Sequence, residues 1–376
     1  MAPGHMARRV LITGANGGIG FEVAKQILAK GHNIILTCRD ASKAEKAVAL
    51  LEPTAKVSGG SVEYAILDLA NLDNVRLGAT SLLNRHPKLD VLVANAGVMS
   101  NAPPGAPLQR TVDGQELTLQ ANHLGHFLLI HLLLPALLAA PAGRVVVVSS
   151  ELHRKVKGVE GSSGSSTSGS SNAQGLTDIH PGGSGATASP QWLPRLSTAG
   201  TSSGAPTAPA VATAPAATSA PPPPWATAPP QPCPLSGMQL YCLSKLYNLW
   251  FVSGLAARLP PHVTANAVTP GWVPGTSLGR DAPWLARLVY QNVFPLLPIT
   301  VSVPEGARRV VAVCLGEAEG AVRGGYFSRG KQAEPSAEAR DKAAAEELWR
   351  LSEAAAGIAP GAYVPAEGKA GPAGAQ

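Results

Sequence analysis

A short apolar strand that runs straight into a glycine cluster constrains this chain more than any other feature. Arg9-Val-Leu-Ile-Thr13 is followed by Gly14-Ala-Asn-Gly-Gly-Ile-Gly20, and an apolar-periodic segment then continues to about Lys30. Gly14 permits a tight turn, Gly18 lets the backbone approach a pyrophosphate, and Gly20 lets the following helix pack closely on a sheet. The helix from about Gly18 to Lys30 aims its N-terminal amides at the phosphates. Turns with Asn-Gly are common, but the strand before this one and the helix after it supply the context that a dinucleotide site requires. Thr13, Gly14, Asn16, Gly17, Gly18, Ile19 and Gly20 are therefore the first candidate cofactor contacts.

The second strand, Asn33-Ile-Ile-Leu-Thr-Cys38, ends at Arg39 rather than at an acidic residue. A carboxylate there would hold a ribose diol, whereas a guanidinium suits a 2′-phosphate. NADP(H) is thus expected over NAD(H), the alternative being that Arg39 is a solvated loop charge. Asp68 and Leu69 follow a third strand, Val62-Glu-Tyr-Ala-Ile-Leu67. Asp68 either meets the adenine region or simply forms a turn.

Farther along, Tyr241-Cys-Leu-Ser-Lys245 places a phenol and an ammonium one helical turn apart on one face. A phenol ordinarily ionises near pH ~10, and a fixed cation favours its phenolate. Tyr241 is thereby a candidate acid or base. Tyr-x-x-x-Lys alone arises by chance in many helices; here it accompanies Asn95-Ala96-Gly97 and a Ser149-Ser150 pair closing an apolar run.

As a set, these motifs resemble the classical short-chain dehydrogenases/reductases. Thr37-Cys-Arg-Asp40, Asn122-His-Leu-Gly-His-Phe127, Ser149-Ser-Glu-Leu-His153, Gly325-Tyr-Phe-Ser328 and Ala345-Glu-Glu-Leu-Trp-Arg-Leu-Ser352 are most similar to the branch of retinol dehydrogenases and the WW-domain oxidoreductase. The resemblance covers residues 8 to about 157 and 238 to about 357. It implies an α/β fold: a single Rossmann-type doubly wound parallel sheet with helices on both faces. It also implies that Tyr241 is the general acid in carbonyl reduction, that Lys245 lowers its pKa and bonds the nicotinamide ribose, and that Ser150 polarises the carbonyl, with Ser149 ranked second. Asn122 would hold a water linking Lys245 to solvent. Asn95, Ala96 and Gly97 would line the adenine-ribose pocket, and Pro270, Gly271 and Val273, after the strand Val263–Val268, would pass beside the nicotinamide. Such roles suit the chemistry, since hydride transfer to a carbonyl develops negative charge on oxygen that donors and then a proton must meet.

Residues 158 to 237 change character abruptly. They run through Gly161-Ser-Ser-Gly-Ser-Ser-Thr-Ser-Gly-Ser-Ser171 into an Ala, Thr and Pro stretch with Pro221-Pro-Pro-Pro-Trp225, and carry only Glu160, Asp178 and Arg195 as charges. Such a segment buries too little apolar surface to offset the entropy of ordering it. The expected organisation is one catalytic domain over 8–357, a disordered insertion at 158–237 within it, and a disordered tail at 358–376. Loop closure tolerates the insertion, because each doubling of a flexible loop costs only ~0.6 kcal/mol. Its proline run also fits a polyproline II ligand for an SH3- or WW-type partner.

Composition narrows the remaining classes. The net charge of +6 is modest and without a basic block, which gives no argument for nucleic acid. Four cysteines at 38, 233, 242 and 314 lack metal spacing and fit a reducing compartment, with Cys233 a candidate reactive thiol. No metal site is expected: the nine histidines form no His-Glu-x-x-His, and His123 and His126 share a helix with Asn122. The apolar run Phe127–Ala139 is short of a membrane span and contains His131 and Pro135; it reads as a helix flanking the sheet or as a subunit contact, which admits a homodimer. A strand beginning at Arg9 leaves no room for a cleavable presequence, so a cytoplasmic location is expected, with peripheral membrane or plastid association left open. Residues 281 to 303 read as an apolar lid suited to a retinoid, steroid or lipid-derived aldehyde, or to a membrane surface. The alternatives are a protochlorophyllide reductase-like enzyme and a cofactor-binding scaffold with a proline-rich arm.

Overall fold

Strands that are apolar at nearly every position must be covered on both faces. Six strands are buried at all or all but one of their positions in a computed structural model that describes residues 6–157, 232–274 and 300–363. Strands β1 (Arg9–Thr13), β2 (Asn33–Cys38), β3 (Val62–Ile66), β4 (Val91–Ala94), β5 (Gly143–Val148), β6 (Val263–Val268), β7 (Tyr326–Ser328) and β8 (Lys331–Ala333) form one sheet in the order β3-β2-β1-β4-β5-β6-β7-β8. All neighbours are parallel except β8, which returns antiparallel to β7 through Arg329 and Gly330, both in the left-handed region.

Side chains alternate between the faces. Val10, Ile12, Ile34, Leu36, Val91 and Val93 join one core, and Leu11, Ile35, Leu92, Val145 and Val147 join the other. The first core is covered by α1 (Gly18–Leu28), α2 (Ala41–Ser58) and α6 (Val303–Leu315). The second is covered by α3 (Leu72–Arg85), α4 (Leu117–Leu138), α5 (Gly237–Arg258) and α8 (Lys342–Ala355); α7 (Glu317–Ala321) is a short helix after α6. This is the doubly wound Rossmann-type sheet that the motifs imply. Strand order reverses between β1 and β4, so a crevice opens at the carboxyl ends of the strands.

Helix α4 has no Asp, Glu, Lys or Arg and, at 22 residues, is long enough to cross a membrane, yet 78% of its apolar window is buried in the fold. Its second turn is a π-helix, Gln120–Leu124. A capping box between Ser236 and Gln239 fixes where α5 begins.

Two expected boundaries shift. Residues 232–237, assigned by composition to the insertion, pack against the body: Cys233 N–H donates to Ala106 O at 2.9 Å, Gly105 N–H donates to Cys233 O at 2.7 Å, and Pro232 bridges Pro107. Cys233 is buried rather than a reactive exposed thiol, and burial raises its pKa. The expected tail likewise begins too early, since Ile358 and Tyr363 are buried and the Tyr363 hydroxyl donates to Phe127 O. The rest of the insertion (158–231), residues 275–299 with most of the apolar lid (281–303), and the tail beyond 363 lie outside the described residues.

Candidate active site

The carboxyl ends of β1, β4, β5 and β6 bring the candidate residues to one edge. Thr13 closes β1 and organises its neighbours: its hydroxyl oxygen accepts the N–H groups of Asn95 and Ala96, each at 2.9 Å, while Asn95 Nδ2 donates to Thr13 O at 2.8 Å. Gly14 sits at φ +64°, and a Cβ there would stand 2.9 Å from that of Ala96. Gly20 has no room either, because a Cβ would run into Asn95 Nδ2 and stand 2.9 Å from Gly14 O. Glycine at both positions is thus required by contacts between the turn and the Asn95–Gly97 segment.

Gly17 and Gly18 are different: among the described residues, nothing beyond the adjoining chain lies within 4 Å of where their Cβ atoms would be. Gly17 caps α1 without a side-chain bond, and the first turn of α1 carries no acid. Open space over uncapped helix amides is what a bound pyrophosphate needs. Asn16 is exposed and Ile19 half-buried at the rim of this cradle. The residues present therefore fit a dinucleotide.

At the end of β2, Thr37 O accepts from Gly14 N–H at 3.0 Å, and Arg39 is exposed two residues farther on. Asp40 caps α2 through Lys43 N–H and pairs with the Lys43 ammonium at 3.5 Å, so the carboxylate next to Arg39 in the chain serves its own helix. Asp68 spends Oδ1 on Ala70 N–H at 3.0 Å in a local turn, and Leu69 is buried against Gly125.

Tyr241 and Lys245 lie in the first turns of α5, both buried, with the Lys245 ammonium 5.3 Å from the centroid of the Tyr241 ring. Lys245 Nζ donates to Val148 O at 3.0 Å, and burial lowers its pKa to about 8. The two serines separate clearly. Ser149 is buried and its hydroxyl donates to Lys245 O at 2.9 Å, whereas Ser150 is half-buried and, among the described residues, its oxygen accepts from Leu152 N–H at 3.2 Å without donating. Ser150 therefore keeps a proton to give. Asn122, in the π-turn, donates through Nδ2 to Val98 O (2.9 Å) and Ser244 Oγ (3.0 Å) and accepts Val98 N–H at Oδ1 (2.7 Å). Gly97 separates it from Lys245: a Cβ there would stand 3.4 Å from Asn122 Oδ1 and 3.7 Å from Lys245 Nζ. Beyond β6, Gly271 is left-handed at φ +98°, Arg309 donates to Pro270 O at 3.2 Å, and Val273 is buried.

Sequence reasoning missed four supporting residues. Arg309, also paired with Glu305 at 3.1 Å, holds the Pro270-Gly271 turn. His126 links Thr13 to the π-turn, with Nε2 2.8 Å from Thr13 Oγ1 and Nδ1 3.2 Å from Asn122 O. A carbonyl can only accept, so Nδ1–H donates to Asn122 O and the lone pair of Nε2 accepts from the Thr13 hydroxyl, which also has Val93 O at 3.4 Å. His126 is held neutral, its pKa lowered to about 4 by burial and by Lys245. Glu151 and His153 brace the turn after Ser150. No group of three or more metal-ligating side chains occurs among the described residues.

A glycine cradle for a dinucleotide beside a buried Tyr-Lys pair and a proton-bearing serine defines a nicotinamide-dependent oxidoreductase. The short chain dehydrogenase family model matches residues 8–168. The WW domain-containing oxidoreductase of Danio rerio is 35% identical over 346 residues, 92% of this chain and 67% of that protein. Retinol dehydrogenase 14 of Mus musculus is 32% identical over 372 residues, 95% of this chain and 88% of that protein. The chain belongs to the short-chain dehydrogenase/reductase family, in the branch containing these proteins. Among solved structures, an uncharacterised protein from Mycobacterium paratuberculosis superposes with TM-score 0.57 at 26% identity, covering 93% of this chain and 94% of that one. L-Sorbose reductase from Gluconobacter frateurii, solved with NADPH and L-sorbose, shares the fold with TM-score 0.54 at 17% identity, covering 87% and 97%.

Proposed function

We propose that this chain is an NADP(H)-dependent reductase of apolar carbonyl compounds of the retinoid, steroid or lipid-aldehyde type, reversible as an alcohol dehydrogenase. The observation that carries the reading is the Lys245 ammonium, buried beside the Tyr241 ring. When bound, the nicotinamide supplies or accepts the hydride. Thr13, Gly14, Asn16, Gly17, Gly18, Ile19 and Gly20 would hold its pyrophosphate end. Asp68, Leu69 and Asn95 to Gly97 would flank the adenosine, and Pro270, Gly271 and Val273 the nicotinamide.

The chain's own part is to polarise and protonate. Ser150 donates its spare proton in a hydrogen bond to the carbonyl oxygen, and Tyr241 passes its phenolic proton to that oxygen as charge develops there. Lys245 favours the phenolate left behind. Both amide protons of Asn122 are taken, so a water relaying protons from Lys245 would have to donate to Asn122 Oδ1 or to its main-chain carbonyl.

NADP(H) preference is supported by the exposed guanidinium of Arg39 beside a carboxylate already committed to a helix cap. An apolar substrate is supported by the retinol dehydrogenase relative. The test is NADPH oxidation with all-trans-retinal, steroid ketones and medium-chain aldehydes. Turnover of one of these classes with NADPH preferred is expected; no turnover across the panel, or an equal rate with NADH, would sink the proposal.

A further inference from the structure

We infer that Glu151 and His153 are positioning residues that aim the Ser150 hydroxyl at the substrate carbonyl. The inference rests on the reading of Ser150 as the carbonyl's hydrogen-bond donor. A hydroxyl just past the end of a strand is useful only if its backbone cannot swing, since donors must be fixed before the reaction begins.

Ser150 begins the 3₁₀ turn Glu151–Lys155, and each side of that turn is tied to a different element. His153, fully buried, lies with Nδ1 2.6 Å from Ser150 O, and its Nε2 accepts Ser336 N–H at 3.2 Å. A main-chain N–H can only donate, so Nε2 carries the lone pair and Nδ1 the proton; the ring therefore pulls the Ser150 carbonyl toward the segment after β8. Its edge also packs on Tyr326, with centroids 5.3 Å apart. Glu151 reaches β7: Oε1 accepts from the Tyr326 hydroxyl at 2.7 Å and the Ser328 hydroxyl at 2.6 Å, while Oε2 accepts from Arg154 at 2.9 Å. Burial tends to raise its pKa, but the bonds from Ser328, Tyr326 and Arg154 outweigh that and hold it at about 2. Both Glu151 oxygens and both His153 nitrogens are occupied by protein, which leaves them to act through Ser150 rather than on the substrate.

The experiment compares Ser150→Ala, Glu151→Leu, Glu151→Gln, Ser328→Ala and the double variant Ser150→Ala/Glu151→Leu in the full chain. Steady-state kinetics with NADPH and all-trans-retinal are measured beside NADPH affinity by fluorescence. Glu151→Leu should lower kcat by about tenfold or more while NADPH Kd stays within about twofold, as expected for a loss felt only in the transition state. Gln, whose amide oxygen still accepts from Tyr326 and Ser328, should restore kcat to within about threefold of the parent. Ser328→Ala, which removes one donor and keeps the fold if Glu151→Leu does not, should lower kcat by about threefold. In the Ser150→Ala background, adding Glu151→Leu should cost nothing further, because the residue acts through the serine. Full activity of Glu151→Leu, or of Ser328→Ala where Leu fails to fold, overturns the inference while leaving Ser150 in place. An equal cost of Glu151→Leu with and without Ser150 overturns it too. A fully active Ser150→Ala removes the underlying reading and this inference with it.

Discussion

Two glycines three residues apart in the first turn should fail in opposite ways. At Gly20 an alanine methyl would run into Asn95 Nδ2 and lie 2.9 Å from Gly14 O and 3.1 Å from Ala15 Cα. The two latter atoms are backbone and cannot rotate away. Overpacking of this kind costs roughly 1–3 kcal/mol. Displacing Asn95 would also break its 2.8 Å bond to Thr13 O, at about 1 kcal/mol. Gly20→Ala is therefore expected to lose about 2–4 kcal/mol, or roughly 5–15 °C in the Tm of the cofactor-free protein. At Gly17 the backbone is extended and, among the described residues, nothing beyond the adjoining chain lies within 4 Å of the new methyl. Gly17→Ala should keep its stability to within about 0.5 kcal/mol. The methyl would instead occupy the space proposed for the pyrophosphate, raising NADPH Kd by about tenfold or more, which is ~1.4 kcal/mol. Calorimetric melting without cofactor and titration with NADPH separate the two effects. Parental NADPH affinity in Gly17→Ala, or a parental Tm in Gly20→Ala, refutes the reasoning.

Arg39→Asp should move preference from NADPH toward NADH, measured as the ratio of kcat/KM values; an unchanged ratio means another group reads the phosphate. Lys245, with its pKa lowered from 10.5 to about 8 by burial, binds its proton less well in the folded chain than in the unfolded one. Between those pH values the unfolded state holds more protons, so Lys245 makes the cofactor-free protein more stable as pH rises from about 8 to 10.5. That rise should vanish in Lys245→Met, followed by urea melts across this range; a persistent rise means the ammonium is not the titrating group. Replacing residues 160–230 by a short Gly/Ser linker should preserve Tm and cofactor binding. Extending the replacement to 235 should lower Tm, because it removes the buried Cys233 and Leu235 and the backbone bonds of Cys233 to Gly105 and Ala106.

What was legible in the sequence is what depends on local period and spacing. Apolar runs set the strands, and the fixed intervals of Gly14, Gly18 and Gly20 and of Tyr241 and Lys245 set turn and helix geometry. What was not legible depends on partners distant in the chain. Ser149 and Ser150 are chemically identical, and only the Lys245 carbonyl, 96 residues from Ser149, separates them. Pro232-Cys-Pro-Leu-Ser236 has the composition of a linker, and residues 102–107 turn it into packed structure. Tyr363 sits in a Gly- and Ala-rich stretch, yet Phe127, His131 and Trp349 build a pocket of rings around it. Glu151 and His153 show no role in the Ser149–His153 segment alone, since their partners Tyr326, Ser328 and Ser336 lie more than 170 residues away. The π-turn at Gln120–Leu124 left no mark in an apolar pattern that reads equally well as α-helix.

The most direct test of the account is Tyr241→Phe, which removes one oxygen from a buried ring and leaves its packing on Lys245. NADPH affinity should remain close to that of the parent, while kcat and kcat/KM for the reduction of a responsive carbonyl should fall together by about a hundredfold or more. A variant that still turns over at the parental rate would contradict the account by removing Tyr241 as the proton donor.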